Sequence, residues 1–335
     1  MRQRPNALAG PRRYTIFCLE TAIQPFKERF CAKRSFCNIR LRGGRNLERL
    51  NAVAEANIEQ TRERHFMALY RAEPGDGIAW ITGASTGIGR QVALDLAAQG
   101  YTVAVTARSA DKLEALAAEA TAAGRKIIAF PCDVTDAAKM RKTVESIEKD
   151  AGPIVLAIFN AGDYFPTRLD GLTTDNFVKT YEVNVFGVIN GVVPVLEHMR
   201  RRGRGQITMV GSASAIFGLP SAAAYGASKA ALNSMAWSLK YDLDLVNIRI
   251  QVANPGFVDT PLTKNNRFAM PALMTVEDAS SRVVEGIKSG GTEFSFPRRF
   301  TWFLKALTFL PAPWTYAIQR RVTGWHKRKP APPPA

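Results

Sequence analysis

The stretch IAWITGASTGIG, residues 78–89, decides the fold. Its first half, IAWIT, is a continuous apolar run of the kind found in strands covered on both faces. The run passes directly into TGASTGIG, residues 82–89, and then into a helical pattern expected over 88–99. Glycines at 83, 87 and 89 lack the Cβ atoms that would keep the backbone away from a pyrophosphate. The helix start behind them offers amide hydrogens and the positive end of a dipole. Strand, glycine turn and helix in that order predict a dinucleotide cradle formed by Gly83, Ser85, Thr86, Gly87, Ile88 and Gly89. The plainer alternative is an ordinary tight turn.

The pattern continues on the C-terminal side. Apolar runs recur as TVAVTA at 102–107, KIIAF at 126–130, IVLAIF at 154–159, QITMV at 206–210 and NIRIQVA at 247–253. Segments such as 109–123 and 136–150 lie between them and are long enough for crossover helices. The expected fold is therefore α/β, a doubly wound Rossmann-type parallel sheet with helices on both faces. The reading is of one domain over 76–296 with a basic N-terminal extension, 1–75, and an aromatic, basic C-terminal extension, 297–335, ending in a proline-rich tail. There is no internal repeat and no stretch of 18 apolar residues that would span a bilayer.

A formal charge of +16 raises the question of nucleic acid, and its distribution answers it. Residues 1–66 hold 14 Lys/Arg against 6 Asp/Glu, and residues 291–335 hold 8 against 1. The centre, 67–290, is left at only +1, so the basic balance belongs to the flanks and a nucleic-acid partner is not expected. Of the four cysteines, Cys18, Cys31 and Cys37 lie in the first 40 residues and Cys132 stands apart. With no CxxC pair and no clustered histidines, neither a metal site nor a disulfide framework is expected, and a reducing, cytoplasmic location fits.

Dinucleotide folds that use NAD usually carry an acid about 20 residues beyond the first glycines, where it bonds the ribose 2′-hydroxyl. Here the second apolar run ends in TAR, with Arg108 and no acid. A planar guanidinium suits a 2′-phosphate, so NADP is expected over NAD. Further along, AAYGASKAAL at 223–232 sets Tyr225 and Lys229 one helical turn apart among small residues. A chance pairing on an amphipathic helix is the bland account of that spacing. The chemical account is that the ammonium favours the phenolate, lowers a pKa that is ordinarily about 10 and lets Tyr225 pass a proton near neutral pH.

Together the glycine turn and the Tyr-x-x-x-Lys pair resemble the short-chain dehydrogenase/reductase family over about 76–296, and further motifs fall in the family's order. CDV at 132–134 resembles the adenine-contacting segment, which implies cofactor contacts from Asp133 and Val134. NAG at 160–162, Asn160, Ala161 and Gly162, resembles the motif after the fourth strand. NPGFVDTP at 254–261 resembles the segment lining the nicotinamide, with Pro255, Gly256, Val258 and Thr260. Asn184 in VNVFG and Ser212, 13 residues before Tyr225, match the family's catalytic set with Tyr225 and Lys229. The resemblance implies carbonyl–alcohol interconversion in which Tyr225 gives the proton and Ser212 holds the carbonyl oxygen. Lys229 would hold the nicotinamide ribose, and Asn184 would anchor a proton-returning water.

The sequence departs from the family's pattern in two places. Where the family often has two serines at the end of the fifth strand, Gly211 precedes Ser212, and Ser214 follows two residues on. Neither position before Gly87 is basic, which leaves the phosphate preference to Arg108. Over 262–274, Phe268, Met270, Leu273 and Met274 would line an apolar substrate pocket, or else simply pack a loop onto the core.

The expected partners are a small carbonyl or alcohol substrate and further copies of the chain, as a dimer or tetramer. The N-terminal flank is read as a mitochondrial transit peptide or as a segment ahead of a start at Met67. The run from Phe300 to Leu310 is too short to span a bilayer. It suits the headgroup region of a membrane, an oligomer contact or a core-covering helix equally. An idle cofactor-binding scaffold is the competing function, and the intact Ser212, Tyr225 and Lys229 argue against it.

Overall fold

The computed structural model describes residues 69–328 except 167, 265 and 267–269. The transit-peptide and Met67 readings, the expected pocket residue Phe268 and the proline-rich tail therefore lie outside the described residues. The strands are β1 Ile78–Thr82, β2 Thr102–Thr106, β3 Ile127–Ala129, β4 Ile154–Phe159, β5 Gly205–Val210, β6 Ile248–Pro255 and β7 Glu293–Phe296. They form one sheet in the order β3-β2-β1-β4-β5-β6-β7, and every neighbouring pair is parallel. The main crossover helices are α1 Gly87–Ala98, α2 Ala110–Ala122, α3 Ala137–Ser146, α4 Thr174–Tyr181, α5 Gly187–Arg202, α6 Ala223–Leu243 and α7 Val276–Ser289. This is the doubly wound Rossmann arrangement.

Period-two alternation explains why the strand runs are apolar throughout. On β1, Ala79 and Ile81 enter one core with Val103, Val105, Leu96, Leu116 and Ile287, beneath α1, α2 and α7. Ile78 and Trp80 enter the other, with Phe159, Met140, Val195, Met199 and Leu232, beneath α3, α5 and α6. Both faces of a strand so placed must be apolar, which makes such a segment legible without its neighbours. Strand order reverses between β1 and β4, the crevice where open α/β sheets bind ligands beyond the carboxyl ends of their strands.

The sequence reading contained six strands, and the structure adds a seventh. β7 has four residues, EFSF, pairs only with β6 at the sheet edge and alternates polar with apolar side chains, so it lacks a long apolar run. The C-terminal segment follows it as α8 Arg298–Leu307 and α9 Ala312–Val322. Thr301, Leu304 and Leu307 of α8 are buried, and Thr315 of α9 donates to the Leu307 carbonyl at 2.9 Å.

Candidate active site

The glycine turn joins β1 to α1 beside the ends of β2 and β4. Gly83 adopts φ +68°, and a Cβ there would lie 2.6 Å from the Ala161 Cα. Gly87 adopts φ +57° and faces Thr260, whose Cγ2 would be 3.2 Å from an added Cβ. Both positions combine left-handed backbone with close approach, so glycine is required twice over. Asn160 clamps the turn from β4, its side chain donating to the carbonyls of Thr82 at 3.3 Å and Gly83 at 3.1 Å. The backbone N–H groups of Asn160 and Ala161 donate to the Thr82 hydroxyl in return. Gly89 is buried against Asn160, with Ser85 and Ile88 half-buried and Thr86 exposed on the turn. Thr86 is the N-cap of α1 in extended backbone without a side-chain bond to the helix, which leaves first-turn amides directed at the crevice.

Arg108 is exposed just past β2. The next strand end is tied beside it, since Cys132 N–H donates to the Ala107 carbonyl at 3.0 Å. Asp133 follows, half-buried, accepting from the Thr135 amide and hydroxyl at 3.0 and 2.9 Å. Val134 is buried against Gly187, where a Cβ would fall 2.7 Å from its Cγ2. On the far side, Gly256 N–H donates to the Phe296 carbonyl at 2.7 Å, and Pro255 ends β6. Val258 and Thr260 are buried, and Thr263 bonds the Thr260 amide and the Val258 carbonyl. The expected cofactor residues thus surround one crevice, and its glycines and free amides fit a dinucleotide.

The four expected catalytic residues converge beyond β5. Ser212 leaves the strand end on the side of the Tyr225 hydroxyl, near enough to pull the phenol's pKa down in part. Ser214, the other serine of the segment, is bonded to the Ser212 hydroxyl at 2.9 Å. Lys229, one turn along α6, is buried, and its ammonium donates to the Val210 carbonyl at 2.8 Å. Gly162 packs against it, an added Cβ falling 3.2 Å from Nζ. Asn184, fully buried in a π-helical turn over Glu182–Phe186, gives its amide hydrogens to the Asp163 carbonyl at 2.9 Å and the Ser228 hydroxyl at 3.0 Å. Its carbonyl accepts the Asp163 N–H at 2.7 Å, so the side chain ties the loop after β4 to α6. These bonds fix the Asn184 side chain within the site.

One expectation needs correction. Lys229 does not hold the Tyr225 phenol below its ordinary value. Although Tyr225 keeps some solvent exposure, the dense protein around its hydroxyl pushes the phenol up to about 12, against a lowering pull from Ser212. Lys229 stands 5.9 Å from the ring centre, and burial pulls its own ammonium down to about 8. Desolvation therefore outweighs the pair's charge interaction. For the loop over 262–274, expected either to line the pocket or to pack onto the core, the described residues divide. Met274 pairs with Val258 and packs on the core, Leu273 is exposed, and Met270 accepts from the Asn266 side chain through sulfur at 3.4 Å.

Three further residues belong to the site. Tyr164 stacks obliquely on Tyr225, ring centres 5.0 Å apart, and burial raises its own phenol. Asn254, fully buried, accepts the Ser212 N–H at 2.9 Å. It also reaches Glu293 at 3.4 Å; burial raises that carboxyl, and bonds from Lys305, Asn254 and Ser295 outweigh it and leave the pKa below the ordinary range. The only sequence signal for Tyr164 was its place two residues past NAG, and for Asn254 its place before Pro255-Gly256.

The comparisons with known proteins agree with this geometry. The short chain dehydrogenase family model matches residues 77–270. An uncharacterized oxidoreductase of Myxococcus xanthus is 36% identical over 251 residues, 75% of this chain and 99% of that protein. The 2,3-dihydro-2,3-dihydroxybenzoate dehydrogenase of Bacillus subtilis is 35% identical over 62% of this chain and 77% of its own length. Among solved structures, a 3-ketoacyl-ACP reductase from Sinorhizobium meliloti superposes with a TM-score of 0.59 at 26% identity, covering 65% of this chain and 97% of that one. With the sheet order, the glycine turn and the Ser-Tyr-Lys cluster already in place, the chain belongs to the short-chain dehydrogenase/reductase family, as an oxidoreductase acting on CH–OH and C=O groups.

Proposed function

We infer that the enzyme is an NADP-dependent carbonyl reductase, or the reverse alcohol dehydrogenase, for an apolar substrate. The observation that carries this reading is the convergence of Ser212, Tyr225 and Lys229 past β5, at the same carboxyl end of the sheet that holds the glycine turn. When bound, the nicotinamide supplies a hydride to the carbonyl carbon. Ser212 holds the carbonyl oxygen by a hydrogen bond that strengthens as charge develops there. Tyr225 delivers the proton to that oxygen, and with its pKa at about 12 it is fully protonated at neutral pH. The phenolate left behind is steadied by the Lys229 ammonium. Asn184 keeps the α6 segment and the loop after β4 in register while this happens.

Arg108 supports the choice of NADP, because it stands exposed past β2 where an NAD enzyme would carry an acid. Arg90, the next basic residue after the turn, is engaged by Glu119. Exposed Val178, Phe186 and Val193 around α4 and α5 supply apolar surface for the homo-oligomer we read for this chain, in a cytoplasmic setting.

The test is NADPH consumption by the purified protein with ketones of graded chain length, run beside Tyr225→Phe. Turnover that rises with apolar chain length and is lost in the variant is expected. Bound NADPH that is never consumed by any ketone would instead identify an idle scaffold.

A further inference from the structure

The C-terminal segment has a buried side and a bare one. Thr301, Leu304 and Leu307 fix α8 to the domain, while Trp302 is 72%, Phe309 89%, Trp314 65% and Tyr316 64% exposed. Four bare aromatic rings within 15 residues far exceed the scattered apolar exposure of an ordinary surface. The same segment is basic: after Glu293, which pairs with Lys305, the chain has no further acid, and Arg298, Arg299, Arg320, Arg321 and Lys327 are all exposed. Among the described residues no helix is long and apolar enough to cross a membrane.

We propose that α8, α9 and the turn between them form an interfacial docking surface for an anionic lipid bilayer. Trp and Tyr side chains partition to the headgroup level, and nearby Arg and Lys add attraction to anionic lipid. Charge decides between a bilayer and a second copy of this chain. A twofold contact through this surface would set two basic faces, each with a single paired acid, against each other, whereas an anionic membrane supplies the opposite charge.

The surface is also joined to both sides of the substrate crevice. Phe300 of α8 lies 6.0 Å, ring centre to ring centre, from Phe257 in the nicotinamide-side segment. Trp325, beyond α9, has the Arg168 guanidinium 5.7 Å from its ring centre, and Arg168 belongs to the loop that carries Tyr164. Docking through α8 and α9 therefore holds the crevice beside the lipid surface, where an apolar substrate concentrates. That last step rests on the proposed activity; the docking itself does not.

The experiment co-sediments the full chain with vesicles of phosphatidylcholine alone and of phosphatidylcholine with phosphatidylglycerol, across a salt series. Partitioning onto the anionic vesicles that weakens with salt is expected. Trp302→Ser/Phe309→Ser/Trp314→Ser should lower it by about tenfold or more while leaving melting temperature and NADPH binding in solution unchanged. If that variant misfolds, Arg320→Glu/Arg321→Glu, confined to exposed charges, should lower it by a similar factor. Absence of partitioning overturns the proposal, as does partitioning that folded variants leave unchanged, which would place it on the basic N-terminal region. A variant that alters the oligomeric state but not vesicle binding also overturns it and makes the face a contact between copies. Failure of NADPH turnover with intact vesicle binding would count against the proposed activity alone.

Discussion

The Lys229 ammonium stands 5.9 Å from the centre of the Tyr225 ring and gives a hydrogen bond to the Val210 carbonyl at 2.8 Å. The two residues are paired in space, yet their proton affinities are set mainly by burial, which raises the phenol to about 12 and lowers the ammonium to about 8. Tyr225 is thus an acid held in reserve, and Lys229 is the group that titrates near working pH.

Replacing Tyr225 by Phe removes the proton donor and little else. Turnover should fall by about 10²- to 10⁴-fold. The dissociation constant for NADPH, measured by fluorescence, should stay within a few-fold of the parent. Near-normal turnover in the variant would dismiss Tyr225 as the donor.

Lys229 makes stability and activity depend on pH in opposite ways. Its folded pKa of about 8 lies below the ordinary 10.5, so between those values the unfolded chain holds more protons and stability rises with pH. Below about 8 the whole cost of burying the charge is present, about 3 kcal/mol by the size of the shift. Lys229→Met should therefore stabilise the protein without cofactor at pH 7, by about 1–3 kcal/mol after the lost bond to Val210 is allowed for. Thermal melts should show that gain fading towards pH 10.5. Reduction needs the ammonium, so kcat/KM of the parent should decline above a pH of about 8, well before Tyr225 ionises.

Arg108→Asp replaces the proposed 2′-phosphate partner with a group that repels it and can accept from a 2′-hydroxyl. The ratio of kcat/KM for NADPH to that for NADH should fall by at least about tenfold, the effect of losing one charged hydrogen bond. An unchanged ratio would assign phosphate recognition to another residue.

Gly211 occupies the place where the family often has a serine, and its surroundings explain the departure. An added Cβ would lie 2.1 Å from the Asn254 Oδ1 and 2.9 Å from the Asn233 Oδ1. Gly211→Ser should cost about 1–3 kcal/mol through overpacking and disturb the Ser212 backbone that Asn254 holds. Adding Asn254→Ala should recover part of the stability but not the turnover. Additive effects in denaturant melts of the two single variants and the double would show that the sites do not share this space.

The residues ahead of β1 are tied to the domain. Arg249 donates to the carbonyls of Leu69 and Tyr70 at 2.5 and 2.9 Å, and the Ala72 N–H donates to the buried Gln206 at 3.0 Å. A chain started at Met67 keeps these bonds and should melt and turn over like the full length. A chain started at Gly77 leaves Arg249 and Gln206 short of partners and should melt several degrees lower, since each unsatisfied buried group costs about 1–3 kcal/mol.

Sequence alone determined what local periodicity and short spacing encode. Continuous apolar runs marked the strands because both sheet faces are covered, the glycines of residues 83–89 marked the turn, and the four-residue step from Tyr225 to Lys229 marked a shared helix face. Tertiary structure alone decided what depends on distant segments meeting. Ser212 receives its support from Asn254, 42 residues on, and Tyr225 its stacking from Tyr164, 61 residues back, neither of which any local pattern declares. β7 took shape only because β6 offered an unpaired edge. The direction of the Tyr225 shift also had to wait for the fold: helical spacing brings the two charges near, but desolvation comes from everything packed around them, and it is the larger effect.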